Sequence, residues 1–159
     1  MSVLILGLGN VMMTDDGFGI RMVEKLRENF CFSSGTEVLD GGTLGLDLLP
    51  RLEGVDRLLI IDALEMDAEP GKIFRLEGEE VPRAFASKLS VHQMGVQDLL
   101  AVAELQGHLP SELIVWGVQP DTVKMGLDLT PAVAAATDEV LANVLEELRG
   151  WGVLVCLTK

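Results

Sequence analysis

The chain has 159 residues, with 12 Lys or Arg against 25 Asp or Glu, a net charge of −13, and 48% hydrophobic residues. That length suits one domain, 1–159, with a sizeable core, and the composition excludes a disordered chain or a coiled coil. So acidic a surface, with no basic stripe, repels phosphate backbones and argues against a nucleic-acid partner.

Ser2 to Leu6 is an unbroken apolar run, which predicts a buried central strand running into the turn Gly7-Leu8-Gly9-Asn10. From Asp16 the period becomes helical, with Phe18, Met22 and Leu26 on one face. Asp15 and Asp16 stand where a helix start favours acidic residues. Thr36 to Leu39 reads as a second strand closed by Asp40-Gly41-Gly42-Thr43, and Leu44 to Leu52 as a short helix stopped near Gly54. Arg57 to Ile61 is another buried strand and delivers Asp62 at its carboxyl end. After the turn Pro70-Gly71, Lys72 to Leu76 alternates like a more exposed strand, and the charged stretch Glu77 to Lys88 reads as a long surface loop.

Gly95 to Leu105 is helical by period, Leu113 to Val118 is an apolar strand, and Pro131 to Leu148 is a long last helix with its proline in the first turn. The apolar tail Trp151 to Leu157 suits an edge strand, a packed extension or a contact surface. Strands alternating with helices imply an α/β three-layer sandwich. Its sheet is mostly parallel or mixed, and helices cover both faces.

Cys31 and Cys156 lie far apart and form no Cys-x-x-Cys, so they read as free thiols of a reducing cytosol. The apolar start lacks a basic leader region, and no run is long enough to span a membrane. The expectation is a cytoplasmic protein with no membrane insertion.

Gly7 and Gly9 suggest a dinucleotide fingerprint with Asp40 as its acidic partner, but the third glycine position is Met12. Gly-Leu-Gly-Asn also resembles the start of peptidyl-tRNA hydrolase, for those four residues only. A nucleophile is poorly served. There is no Gly-x-Ser-x-Gly, Cys31 sits in an apolar Phe-Cys-Phe where burial would blunt a thiol, and Ser90 with His92 lacks a strained turn. His108 belongs to a helix-ending loop, and Glu77-Gly78-Glu79-Glu80 reads as a solvated acidic turn.

The chemistry concentrates in Asp16, Asp62 and His92. In an open α/β sheet the loops at the carboxyl ends of neighbouring strands converge on one crevice. Two carboxylates and an imidazole there suit a divalent first-row metal with open coordination positions. By spacing alone, a helix cap, a strand-end carboxylate and a helix-entry histidine outweigh a metal site.

Taken in order, several segments resemble the hydrogenase maturation endopeptidase family. They are Leu6-Gly7-Leu8-Gly9-Asn10, Asp15-Asp16-Gly17-Phe18-Gly19, Asp40-Gly41-Gly42-Thr43-Leu44-Gly45 and Leu59-Ile60-Ile61-Asp62-Ala63. Pro70-Gly71, Ser90-Val91-His92-Gln93-Met94-Gly95 and Gly117-Val118-Gln119-Pro120 complete the set. The resemblance implies a metal-dependent endopeptidase that removes a C-terminal extension from the precursor of a nickel–iron hydrogenase large subunit once nickel is inserted. It further implies that Asp16, Asp62 and His92 contact the nickel, which the substrate supplies, and act in catalysis. Asp40 would take a supporting or substrate-contacting role. A non-enzymatic metal-binding or nickel-delivery module on the same fold is the alternative.

Overall fold

The computed structural model describes residues 1–86 and 91–158, the side chains of Ala86 and of residues 91–94 excepted. Strand β1 (Val3–Leu8) is buried along its whole length, as its unbroken apolar sequence requires of a strand covered on both faces. It lies parallel between β3 (Thr36–Gly42) and β4 (Arg57–Ala63), with Ile5 opposite Val38 on one side and Leu59 on the other. Strand β6 (Glu112–Val118) continues the parallel set beyond β4, and β5 (Ile73–Glu77) closes the edge antiparallel. The order is therefore β3-β1-β4-β6-β5, a mixed five-stranded sheet.

Helices cover both faces. On one, α1 (Phe18–Asn29) and α5 (Pro131–Gly150) bury Phe18, Met22 and Leu26 against Val133, Val140 and Val144. On the other lie α2 (Leu49–Leu52), α3 (Glu80–Ala86) and α4 (Val91–Leu105), which bring in Leu52, Val81, Phe85, Val96 and Leu99. Each fully buried side chain of this size contributes about 2 kcal/mol of transfer free energy.

Three sequence expectations need correction. Glu77 to Lys88 is not one loop, because β5 runs to Glu77 and α3 begins at Glu80. Val81, Ala84 and Phe85 fall at helical spacing and are buried, and the acidic residues ahead of them hide that short apolar face from a reading by composition. Residues 87 and 88 of that stretch, and Ser90, lie outside the described residues.

The second correction is strand β2 (Phe30–Phe32), which the sequence does not announce. It pairs antiparallel with β7 (Val155–Leu157), placing Cys31 opposite Cys156. Third, those cysteines are joined in a disulfide that spans 125 residues, so they are not free thiols. Cys31 is not buried either. In a strand, alternate residues face opposite ways, so Phe30 and Phe32 pack on the core while Cys31 faces solvent. Trp151 and Val153 are buried in that same core, which makes the tail a packed extension ending in an edge strand.

Candidate active site

The chain leaves β1 by α1 toward β3 on one face, then returns to β4 by α2 on the other. The sheet thus changes winding direction between β1 and β4, and a crevice opens at their carboxyl ends. The loop after β1 carries Asp16 into that crevice, and the end of β4 carries Asp62.

Two glycines allow the close approach. A Cβ on Gly19 would fall 2.2 Å from the Ile61 carbonyl oxygen and 2.4 Å from that of Leu8, so α1 meets the sheet backbone to backbone. Gly9 has φ +129°, and a Cβ there would lie 1.9 Å from the Asp16 carbonyl oxygen and 3.8 Å from Asp62 Oδ1. Gly9 thus lies between the Asp16 backbone and the Asp62 carboxylate. Asp62 is fully buried, with Oδ1 accepting the Ala63 N–H at 2.8 Å. Asp16 is 8% exposed, and its Oδ2 accepts the Asn10 N–H at 3.1 Å.

His92 falls in the first turn of α4, and its side chain lies outside the described residues. The direction of α4 follows from its connection. It leads into β6 at Glu112, beside the amino end of β4, so its first turn lies at the carboxyl end of the sheet. Gly95 packs there against Gly45, 3.0 Å from a Cβ on either glycine to the Cα of the other. Among the described residues no group of three His, Cys, Asp or Glu side chains is arranged to hold a metal ion.

Asp40 ends up at the rim. Its Oδ1 accepts the Gly42 N–H at 2.9 Å, and it lines a cleft of about 240 Å³ with Gly9, Asn10, Val11, Ile20 and Thr43. The Gly9 N–H donates to the Gly42 carbonyl at 3.0 Å and closes the floor of that cleft. His108 follows α4, its N–H donating to the Ala103 carbonyl at 2.8 Å, as expected of a helix-ending loop.

Two residues that organise the site were missed by sequence reasoning. Asp15, fully buried, accepts from the N–H groups of Asp121 (2.9 Å), Thr122 (3.0 Å) and Thr130 (2.8 Å) and from the Thr130 hydroxyl (2.7 Å). Burial alone would raise its pKa, but these four hydrogen bonds together outweigh it and hold the carboxyl below its ordinary value. Thr130 stands at the N-cap of α5, and its hydroxyl serves Asp15 instead of capping the helix. Thr14 takes φ +48°, a strained setting for a β-branched residue. Its hydroxyl donates to the Thr122 carbonyl at 2.6 Å and accepts the Lys124 N–H at 3.1 Å.

Gln119 does the same service beyond β6. Its Oε1 accepts the N–H groups of Met66 (2.7 Å) and Ala68 (3.2 Å), and its Nε2 donates to Glu65 at 2.7 Å, holding the loop that follows Asp62. Its presence in the Gly117-Val118-Gln119-Pro120 segment was the only available signal. For Asp15 the signal was its place at a helix start, which reads as a cap and gives no hint of its distant partners.

The fold is an α/β sandwich whose switch-point crevice has Asp16 and Asp62 at its strand ends. The sequence pattern of the hydrogenase maturation protease (HycI) family matches residues 20–147. The hydrogenase 2 maturation protease of Escherichia coli K12 is 39% identical over 154 residues, covering 96% of this chain and 94% of that one. The hydrogenase expression/formation protein HupD of Rhodobacter capsulatus is 42% identical over 155 residues, with 96% and 74% covered. The solved structure of the hydrogenase maturating endopeptidase HybD from Escherichia coli superposes with a TM-score of 0.95 at 38% identity, covering 99% of this chain and 98% of that one. This chain belongs to the hydrogenase maturation protease family and is a hydrolase of peptide bonds.

Proposed function

We propose that the enzyme removes the C-terminal extension of a nickel–iron hydrogenase large-subunit precursor after nickel insertion, and that Asp16, Asp62 and His92 meet the nickel carried by that substrate. The observation that carries this reading is that the Gly9–Asn10 turn is flanked by both aspartates, the Asp62 carboxylate beside Gly9 and the Asp16 carboxylate on the Asn10 N–H. Their chemistry fits the role. Carboxylate oxygens and an imidazole accept a first-row divalent ion that already holds other ligands, without the full set of thiolates that a structural zinc site uses.

In hydrolysis, water adds across the scissile C–N bond, its hydroxyl going to the carbonyl carbon and its proton to the departing amine. A metal seated against Asp16 and Asp62 supplies polarisation of the carbonyl or acidification of the water. In the competing mechanism the metal serves only for docking, and a carboxylate, Asp16 or Asp40, acts as the general base. The shallow cleft of about 240 Å³ between Gly9–Val11 and Asp40–Thr43 suits an extended peptide better than an enclosed small molecule. A cytoplasmic site of action belongs to the same proposal and rests on the sequence pattern. The Cys31–Cys156 disulfide argues for a more oxidising setting, and thiol trapping in cells distinguishes the two.

The test is mass spectrometry of the cognate precursor after incubation with the protein, using nickel-loaded and nickel-free substrate and the His92→Ala variant. Loss of the extension only with nickel-loaded precursor and unmutated enzyme is expected. Persistence of the extension on properly loaded precursor refutes the reading.

A further inference from the structure

The loop 121–130 is built inside out. Its backbone is anchored inward. The Thr14 N–H donates to the Gly126 carbonyl and the Gly126 N–H to the Met12 carbonyl, both at 2.9 Å, and the Asp15 N–H donates to Thr122 at 3.2 Å. Arg21 on α1 donates to the Leu127 carbonyl. With its polar groups so engaged, the loop presents its apolar side chains to water: Met125 is 83% exposed, Leu127 62% and Val123 51%. Met12, 58% exposed, lies on the facing segment, its carbonyl accepting that Gly126 N–H.

A mobile loop can expose apolar groups by chance, but one fastened through a buried aspartate and a strained threonine holds them outward against the hydrophobic effect. The same Thr14-Asp15-Asp16 turn that carries the crevice carboxylate anchors this loop, so the apolar side chains lie on the segment that adjoins the site. Asp121 and Asp128 flank the ridge with only Lys124 between them, which suits an apolar patch with a basic fringe.

We propose that Met12, Val123, Met125 and Leu127 form the ridge on which the folded body of the precursor docks, through an apolar patch beside the segment that is cut. This rests on the function proposed above and adds to it where the partner sits. Met and Leu side chains give such a ridge adaptable packing, and with no titratable or nucleophilic group it governs binding rather than chemistry.

The test measures cleavage rate against precursor concentration for Met125→Glu, Leu127→Glu and the milder Met125→Gln, with thermal melting and solution mass for each. The ridge predicts that KM for nickel-loaded precursor rises about tenfold or more in the glutamate variants, with kcat and Tm close to those of the parent. Should a glutamate variant fail to fold, Met125→Gln is expected to raise KM by about threefold. Unchanged KM in folded variants, with normal processing by the parent, overturns the ridge alone. A parent dimer that becomes monomeric in Met125→Glu without change in KM assigns the ridge to self-association and also overturns it. Failure of the parent to process a loaded precursor removes the proposed function itself, and the ridge with it.

Discussion

The two ends of the central sheet treat polar groups in opposite ways. At the amino end, around Ser2, Glu37, Arg51 and Asp56, charged side chains face water. Arg51 pairs with Glu37, and the Asp56 carboxylate accepts the Ser2 N–H at 2.7 Å. At the carboxyl end Thr14, Asp15, Asp16, Asp62 and Gln119 are buried, while Met12, Leu44, Leu46, Val123, Met125 and Leu127 are exposed. Both ends close over the same aliphatic core. The difference teaches that the core sets the fold, whereas the carboxyl-end loops accept a thermodynamic cost to arrange a site.

Substitution at the carboxyl end should therefore break function or stability strongly. Asp62→Asn keeps the shape of the buried side chain and its acceptor for the Ala63 N–H, but removes its charge. Precursor cleavage measured by mass spectrometry should fall by about a hundredfold or more, with little change in melting temperature.

Asp15→Ala sharpens the contrast with its neighbour Asp16, because it strands three backbone donors and one hydroxyl in a buried place. Urea unfolding should show a loss of about 4 kcal/mol. The same carboxylate makes stability pH-dependent. Its folded pKa lies below the ordinary value of 3.8, so its contribution is complete above that value and disappears as pH falls through the folded one. Acid unfolding of Asp15→Asn should lack that component.

The β2–β7 ribbon lies toward the amino end of the sheet, where α1 ends and β3 begins, and is held covalently. Cys31→Ser with Cys156→Ser opens a closure of 125 residues and should lower stability by about 3 kcal/mol in denaturant unfolding, leaving precursor cleavage intact. At the amino end, Arg51→Ala removes an exposed ion pair, which should cost less than about 1 kcal/mol and leave cleavage unchanged. A large loss of activity from Arg51→Ala would break the comparison between the two ends.

Most of the scaffold was legible because its signals are local. The apolar runs Val3–Leu8 and Arg57–Ala63 mark strands buried on both faces, and the four-residue spacing of Phe18, Met22 and Leu26 marks one helix face. Asp16 and Asp62 were legible as candidates because the loops at strand ends in such a sheet converge by geometry. The partners of Asp15 lie 106 to 115 residues away, and no pattern near Asp15 announces them. Helix α3 was lost behind its acidic start, and β2 is only three residues long.

The sequence by itself determined the α/β alternation, the buried central strands, the acidic surface and the identity of two carboxylates at strand-end loops, since each follows from residue type and short-range period. Only the tertiary structure decided that Asp15 bolts the 121–130 loop. It also decided that Cys31 meets Cys156 and that Met125 and Leu127 face water. Those outcomes depend on contacts between segments far apart in the chain, whose pairing is set by the packing of the whole sheet and its helices rather than by any local preference.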